Sequence, residues 1–477
     1  MDSSNSIYKL LFSAILMVMS LSLSAQNIQQ KNDSVVVLIK NYLNTKNTDA
    51  LYDLTDAELQ HYISKKSFNQ YLKKEVYSSG QIDNSTPVRN KTLNSEYKFA
   101  LKKDTLLLTL NLDQEYKIRI FVLKKYIPVT PNKAYPVATS NQLKTDLEKK
   151  IDAVIRTYIQ KPFTVGLSLG IIYGDKRSIY NYGEVIKDKR ELPDSNTVFN
   201  IGSVSQIFTA TLLADFVNEG KIKLTDPITK YLPDSVSENA WLKTVSVLSL
   251  SNHTSGLVTF PYYPNSEENS SFKTAQNFTY DQLFSYLKYS VPHSVSGTTY
   301  ANSNLAFSLL AVILERISHK SYEELVQTII CKPLNLHHTA EHFPNKEHHN
   351  FAKFYDYQGK EKPAGDYDGL EKTGWLQSTM SDLLKYAEAN MEVKPDDELS
   401  NALQLTHQIT YSKNVRLGLG WHFISVKDKQ YLASKKVSPG SSGFITFNAE
   451  RKIAVVILSN SVEPVDLVGI AVIKLLQ

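Results

Sequence analysis

Apolar residues in the N-terminal part of the chain repeat first with the period of a helix and then with that of a strand. Helical spacing runs through residues 35–43, and a second helical patch covers residues 68–77. Strand-like runs follow at residues 97–101, 105–112 and 116–123, the last two joined by a short polar connection at 113–115. The pattern predicts a small α+β domain over residues 26–125.

A different pattern begins near residue 143. It predicts an amphipathic helix over 143–159, strands over 165–173, 178–182 and 452–459, and a closing helix over 464–476. Terminal strands that enclose a long helical middle predict an α+β fold for residues 143–477, with an antiparallel sheet flanked by helices and an all-α lobe. Between the two patterns, residues 126–142 carry three prolines. Proline favours extended backbone, so these residues are predicted to form a semi-rigid linker.

Composition excludes several classes of protein. Lys and Arg total 53 against 48 Asp and Glu, a formal net charge of +5, and the 18 Gly and 17 Pro are an ordinary share of 477 residues. Collagen-like, low-complexity and highly charged disordered chains are therefore excluded. The chain has no basic run of the kind that follows a phosphate backbone, so nucleic acid is not an expected partner.

The first 25 residues have the pattern of an export signal. Lys9 supplies a positive charge, residues 10–24 form an apolar core, and the small pair Ser24-Ala25 precedes an expected cleavage after Ala25. The only cysteine, Cys331, cannot form an internal disulfide and is predicted to be a core residue. No later segment has the apolar length of a membrane span. We therefore expect a periplasmic or secreted protein with no transmembrane helix after signal removal.

The clearest chemical signal lies in residues 199–233. Gly202-Ser203 is a small-residue turn that opens an apolar-periodic helix, and Gly220 ends that helix. Ser203 is therefore predicted at a helix N-terminus, where backbone N–H groups and the helix dipole favour a developing negative charge. Gln206 is predicted one turn further along, on the same face.

Here the chain resembles the β-lactamase-related serine hydrolases, which include class C β-lactamases, D-alanyl-D-alanine carboxypeptidases and related esterases. The resemblance covers roughly residues 145–477. Further segments match the family in order: LSNHTSGL at 250–257, SGTTYANSNLAFSLL at 296–310, PLNL at 333–336, GWLQSTMSD at 374–382, GLGW at 418–421 and VILSN at 456–460. The resemblance implies a β-lactamase/transpeptidase-like fold and acyl transfer, in which a serine attacks an amide or ester carbonyl and water releases the acyl group.

The preceding domain shows a resemblance of layout. Helices followed by a strand meander in residues 26–125 are similar to the small NTF2-like modules found before enzyme domains in exported bacterial proteins. No constellation of titratable residues stands out there, so the expected role is packing or docking.

The family's first motif, Ser-x-x-Lys, pairs the nucleophilic serine with a desolvated lysine that accepts its proton. Here the motif reads Ser203-Val204-Ser205-Gln206. Gln206 can hydrogen-bond the hydroxyl, but a neutral amide cannot remove its proton at neutral pH. Ser205, the other hydroxyl of the motif, lies off the Ser203 face.

The family's second motif is Tyr-x-Asn. Counting from Gly297 places it at Asn302-Ser303-Asn304. The resemblance then implies that Asn302 replaces the tyrosine that acts as base and acid, while the amide at Asn304 is kept. The alternative is a two-residue slip that restores Tyr300-Ala301-Asn302.

The family's third motif, Lys/His-x-Gly, falls at Ser434-Lys435-Lys436. Ser434 takes the position of the cation and Lys436 that of the glycine. Strand alternation puts residues 434 and 436 on one face, so Lys436 could restore a positive charge while filling space that the glycine leaves for substrate. The oxyanion hole implied by the resemblance uses the backbone N–H groups of Ser203 and Val437.

All three motifs thus lack their proton-handling or cationic residue. General-base help contributes roughly 10²–10⁴-fold, so we expect an impaired or inactive hydrolase whose cleft still binds a peptide-like or acyl small molecule. Ser203 with an oxyanion hole alone would still give a residual rate.

Two alternatives to the impaired hydrolase stay open. One is an active serine esterase or peptidase with a non-standard base, for which Lys436, Tyr300 or a substrate group are candidates. The other is a binding module centred on the N-terminal domain. No cofactor is expected.

Histidines outside these motifs are assigned no chemistry. No partner spacing supports a metal site at His342, His348 and His349, which are predicted to lie in a solvated loop. His253, in the LSNHTSGL segment, is predicted to be structural.

Overall fold

The computed structural model describes most of the chain from residue 30 onward. Residues outside the description are 1–29, 57–58, 61–63, 78–79, 92–93, 103, 114, 127–135, 162–163, 259–275, 292–293, 344–349, 357–358, 363–368, 371–374, 393, 395 and 439. The predicted export signal over residues 1–25 lies among them. The described residues form two compact units, one ending at Tyr126 and one beginning at Pro136.

Helices and a four-stranded antiparallel sheet make up the first unit. Its helices are α1 (residues 30–44), α2 (Thr48–Asp53) and α3 (Lys65–Leu72), and α3 continues into a π-helical segment, Lys73–Tyr77. Its strands pair in chain order: β1 (Ile82–Lys91), β2 (Asn94–Leu101), β3 (Thr105–Leu112) and β4 (Ile118–Lys125). Burial alternates along β3, and its buried side joins the helices in an apolar core. This unit therefore has a core of its own.

Strand β1 is not predicted by the sequence pattern, and its irregularity explains why. Pro87 lies within β1, and the register with β2 shifts between Ile82 and Asn84 and again between Pro87 and Arg89. These shifts interrupt the alternation that marks a half-buried strand. Because β1 is an edge strand, the missing proline N–H is tolerated there.

An eight-stranded antiparallel sheet is the framework of the second unit. The strands of this unit, in chain order, are β5 (Gly166–Tyr173), β6 (Lys176–Gly183), β7 (Val198–Asn200), β8 (Gln276–Phe278), β9 (Phe354–Tyr355), β10 (Glu361–Lys362), β11 (Gly369–Leu370), β12 (Gln377–Thr379), β13 (Tyr411–Ser412), β14 (Arg416–Leu417), β15 (His422–Val426), β16 (Lys429–Ser438), β17 (Ser441–Asn448) and β18 (Ile453–Ser459). The large sheet has the order β13-β14-β15-β16-β17-β18-β5-β6, and β12 pairs separately with β7. Strands from the two ends of the unit are thus neighbours, since β5 pairs with β18.

Helices cover both faces of the large sheet. The helices of this unit are α4 (Asp146–Ile159), α5 (Ser205–Asn218), α6 (Asp234–Ser237), α7 (Val247–Ser251), α8 (Tyr280–Tyr289), α9 (Asn304–Ser318), α10 (Tyr322–Leu325), α11 (Lys332–Leu334), α12 (Met380–Met391), α13 (Glu398–Thr406) and α14 (Asp466–Leu475). The apolar residues of α4 and α14 share a core with β5 and β18, while α12 packs on the same strands and on β17. The α12 contact is close, because a Cβ added at Gly170 of β5 would lie 2.4 Å from the Met380 sulfur.

The predicted antiparallel sheet flanked by helices is therefore confirmed. The stretch inserted between β7 and β12 carries the helices α5–α11 and is not all-α as predicted, because it also contains the short strand pairs β8–β11 and β9–β10. Among the described residues, no helix has both the length and the apolar character needed to cross a lipid bilayer.

Residues 136–142 differ from the predicted linker. Val137 and Asn141 are buried, Thr139 pairs with Tyr182 of β6, and the Ser140 N–H donates to the Asn181 carbonyl at 3.0 Å. The second half of the predicted linker thus docks on the edge strand β6 and belongs to the second unit. Proline at 136 limits the backbone to extended conformations, which also suit pairing with a strand edge.

Candidate active site

Ser203 lies in a tight turn that leads directly into a buried helix. The 3-10 turn Gly202–Val204 precedes α5, and Gly202 has φ +45°, a region that glycine enters without a Cβ clash. Every residue of α5 from Ser205 to Ala214 is buried, whereas Ser203 is partly exposed. The hydroxyl predicted as the nucleophile is therefore presented by a firmly packed backbone at the start of a helix.

Leu376 fixes this turn from the opposite side. Its N–H donates to the Ser205 hydroxyl oxygen at 2.8 Å, and its carbonyl accepts from the Ile201 N–H at 3.1 Å. Ser205 is fully buried in this contact. Its hydroxyl therefore holds the Leu376 backbone in place and is not a second nucleophile.

Three of the predicted site residues, Ser203, Gln206 and Asn304, meet at the turn. The Ser203 hydroxyl lies 3.5 Å from the side-chain oxygen of Asn304, and Gln206 Nε2 donates to the same oxygen at 3.0 Å. An amide oxygen is only an acceptor, so serine and glutamine keep their protons in both contacts. In the part of the chain that the structure describes, the Ser203 hydroxyl has no hydrogen bond to an amine, a phenol or an imidazole.

Asn304 is positioned by the residue before it. Ser303 caps α9, because its hydroxyl oxygen accepts from the Ala306 N–H at 3.0 Å, and the same hydroxyl donates to the Val258 carbonyl at 2.6 Å. The Ser303 N–H donates to Nδ1 of His253 at 3.1 Å. Three contacts on Ser303 thus hold the first residue of α9, Asn304, against Gln206.

His253 acts in this contact as a neutral acceptor. Burial lowers its pKa to about 3, helped by the nearby His422, so Nδ1 carries a free lone pair at neutral pH. Its φ of +57° is a conformation that residues other than glycine seldom adopt. The prediction that His253 is structural agrees with these contacts, which reach the site through Ser303.

The two-residue slip would place Tyr300 as the base for Ser203, but the Tyr300 side chain bonds to His422 instead. Its hydroxyl lies 3.0 Å from Nε2 of His422, and burial raises the pKa of the phenol. Burial and the charge of Lys435 lower the pKa of His422 to about 4, so the imidazole is neutral at pH 7. Asn304, rather than Asn302, is the amide that meets Gln206, and Asn302 is exposed.

The third predicted motif lies on β16, which packs beside the Ser203 turn. Ser434 pairs with Ile445 and is buried, while Lys436 pairs with Gly443. The Lys435 ammonium forms an ion pair with Asp466 of α14 at 2.8 Å, on one face of the sheet. Residues 434 and 436 therefore belong to the opposite face. The side chains of Lys436 and Val437 lie outside the described part of the chain, and the predicted oxyanion role of the Val437 N–H stays a prediction.

The second unit as a whole matches a known protein family. The β-lactamase family model covers residues 151–476. The chain belongs to the β-lactamase family.

Relatives and solved structures agree with this membership. A β-lactamase of Pseudomonas fluorescens is 30% identical over 279 residues, which are 58% of this chain and 74% of the relative. A D-alanyl-D-alanine-carboxypeptidase/endopeptidase of Escherichia coli is 26% identical over 300 residues, 60% of this chain and 75% of the relative. A solved class C β-lactamase is 25% identical and superimposes with a TM-score of 0.60 over 70% of this chain and 98% of its own.

For a β-lactamase-family site, the described surroundings of Ser203 are chemically neutral. The hydroxyl donates to the carboxamide of Asn304, which in turn accepts from the carboxamide of Gln206. Such a site can hydrogen-bond a carbonyl or an N–H group, but it offers no described group that takes the serine proton at neutral pH.

Two histidine contacts near this β-lactamase-family site are not indicated by the sequence pattern. His422 follows the GLGW segment but belongs to no motif, and only the fold brings it to Tyr300, 122 residues earlier. His253 lies inside a matched segment, and its hydrogen bond to Ser303 spans 50 residues. Contacts of this length depend on strand order and helix packing, which hydrophobic periodicity does not encode.

Proposed function

We propose that the second unit is a catalytically impaired acyl-serine hydrolase whose cleft binds a peptide-like or acyl small molecule. The observation that carries this proposal is the carboxamide cluster at Ser203. Among the described residues, the Ser203 hydroxyl donates to the amide oxygen of Asn304, and that oxygen also accepts from Gln206. Attack by the serine needs a proton acceptor, and an amide oxygen is far too weakly basic to serve as one.

The ligand class follows from the hydrogen-bonding groups and from the relatives. Relatives of this chain are named β-lactamase and D-alanyl-D-alanine-carboxypeptidase/endopeptidase, and both names refer to amide-containing molecules. The partly exposed hydroxyl of Ser203 can donate to or accept from the polar groups of an amide or ester. Binding of such a ligand without turnover therefore requires hydrogen-bonding groups but no base.

A working hydrolase with Tyr300 as its base is the second candidate. The observation that favours it is the Tyr300–His422 hydrogen bond, since a neutral imidazole can hold a phenol proton. Against it, that phenol is engaged with His422 rather than with Ser203, and burial disfavours the phenolate. Lys436 remains the other candidate base, as the sequence predicts.

Calorimetry and product analysis on one sample test the proposal. The full chain without residues 1–25 is titrated with benzylpenicillin and with an N-acyl-D-alanyl-D-alanine peptide, and hydrolysis is followed by mass spectrometry. We expect saturable binding of at least one probe without turnover, and weaker binding by Asn302→Ala. Hydrolysis that disappears in Ser203→Ala would reject the impaired site. Tyr300→Phe then separates the candidates, because loss of such hydrolysis would assign the base to Tyr300.

We further propose that the protein is exported to the periplasm or secreted. Lys9, the apolar stretch 10–24 and the small pair Ser24-Ala25 support this. N-terminal sequencing of protein recovered from a bacterial periplasmic extract tests it. A mature chain beginning at Gln26 is expected, and an intact N-terminus on protein retained in the cytoplasm would contradict the proposal.

A further inference from the structure

Outside the candidate active site, the fold brings together three side chains with the donor atoms of a metal site. Glu323 lies in the short helix α10, and Glu341 and His342 lie beyond α11. One ligand atom from each residue, two carboxylate oxygens and an imidazole nitrogen, lies within 4.8 Å of the other two. We propose that Glu323, Glu341 and His342 bind a divalent transition-metal ion of the zinc class.

The backbone around these ligands is fixed before any ion arrives. The Glu341 N–H donates to Oε2 of Glu323 at 2.5 Å, and Gln327 Nε2 donates to Oε1 of Glu323 at 2.8 Å. The residue before Glu341, Ala340, exchanges two backbone hydrogen bonds with Gln377 of β12, at 3.0 and 2.8 Å. Binding would therefore require little ordering of the chain, which favours affinity.

The donor set selects the ion. Two carboxylates and one imidazole are typical ligands of Zn²⁺, whereas Mg²⁺ and Ca²⁺ prefer all-oxygen sites. The two carboxylates are partly buried, and a divalent cation between them would neutralise their negative charge. His342 is exposed, so coordination positions remain for water.

The sequence alone could not indicate this site. Glu323 precedes Glu341 by 18 residues and lies on another element, so no short ligand spacing exists. The nearby His348 and His349 lie outside the described residues and are not part of the proposed site. They are instead the natural control, because a histidine-rich segment can bind metal without a folded site.

Zn²⁺ titration of the full chain without residues 1–25, by calorimetry and by thermal melting, tests the proposal. We expect binding of one ion per chain and a melting temperature that rises with Zn²⁺. Substitution of Co²⁺ should give visible d–d absorption. Affinity should fall at least about tenfold in His342→Ala and in Glu323→Gln, and stay unchanged in His337→Ala, an exposed histidine of the same segment.

Two results would overturn the site. One is Zn²⁺ affinity that survives both His342→Ala and Glu323→Gln but is lost in the double variant His348→Ala/His349→Ala. The other is no rise in the melting temperature of the parent chain with Zn²⁺. Circular dichroism of each variant without metal shows whether the chain is folded. His342→Ala is the decisive variant because an exposed side chain is removed with little cost to stability.

Discussion

At the scale of single residues, the side chain at position 206 decides which proton chemistry is open to Ser203. Gln206 shares the Asn304 oxygen with the serine hydroxyl and offers an N–H where a base would offer a lone pair. Its position, the second residue of α5 and almost fully buried, is one where an amine would have a lowered pKa, because burial disfavours the charged form. The first motif thus lacks its base because of one side chain in an otherwise suitable place.

Replacing this amide tests that reasoning. We expect Gln206→Lys combined with Asn302→Tyr to raise turnover of a chromogenic ester, by an amount within the roughly 10²–10⁴-fold range of general-base catalysis. Initial rates against enzyme concentration measure it. Gln206→Met with Asn302→Tyr is the matched control, since methionine has similar length and no base. A folded repaired variant as slow as this control would point to a further block, and Lys436 would be the first residue to test.

His253 links residue chemistry to stability in acid. Its folded pKa of about 3 lies below the usual value of 6.5. The unfolded chain therefore binds the proton more readily, so the stabilisation is complete above pH 6.5 and is lost as pH falls toward the folded value. We expect the free energy of unfolding to drop between pH 6.5 and 4.5, and to drop less in His253→Asn. Asparagine tolerates a positive φ and keeps an acceptor for the Ser303 N–H.

Urea denaturation at a series of pH values measures the effect. His407→Asn is a useful comparison, because burial lowers the pKa of His407 to about 4 at a position away from the Ser303 contact. Equal pH dependence in wild type and in His253→Asn would show that His253 does not contribute.

At the scale of elements, the ends of helices were harder to predict than their existence. The helix predicted over 143–159 begins at Asp146, because Leu143 has φ +57° and Thr145 forms a capping box with Glu148. The helix that follows Ser203 ends at Asn218, and Gly220 has φ +74°, as its glycine suggested. Local rules thus locate α5 well, and they miss the start of α4 because a single left-handed residue carries no hydrophobic signature.

The capping box of α4 gives a prediction for one element. Thr145→Ala removes the hydroxyl that accepts from the Glu148 N–H at 3.1 Å. We expect a loss of about 1 kcal/mol in the free energy of unfolding, measured by urea denaturation. Thr157→Ala is the control, a threonine of the same helix that lies outside the cap. It should change the free energy of unfolding little, because alanine favours a helix interior. An equal loss in both variants would contradict a capping role for Thr145.

At the scale of the whole molecule, much of the second unit could be predicted and the site geometry could not. Strands with continuous apolar runs, such as β5 and β18, are recognisable from sequence, and the matched motifs supply their order. The meeting of Gln206 with Asn304 spans 98 residues and follows from the packing of α5 on α9. In the first unit, β1 is not predicted from the sequence, because Pro87 and two register shifts interrupt the alternation of buried and exposed residues.

The two separate cores give a prediction for the molecule as a whole. Leu108 of β3 and Leu169 of β5 are both fully buried, each in the core of a different unit. We expect Leu108→Ala to cost about 2–5 kcal/mol and to weaken hydrogen-exchange protection in residues 30–126. Leu169→Ala should act in the same way on the second unit. Loss of protection spread equally over both units in each variant would mean that the chain unfolds as one body.

The labelling rate of Ser203 by a fluorophosphonate probe, followed by intact-protein mass spectrometry, is the most direct measurement of the central idea. The probe reports how readily the hydroxyl loses its proton to a neighbour. We expect wild type to label slowly, close to the background set by Ser203→Ala, and Gln206→Lys to label faster. Rapid, stoichiometric labelling of the wild-type protein that disappears in Ser203→Ala would show that a base activates Ser203. That result would contradict the proposal of an impaired site.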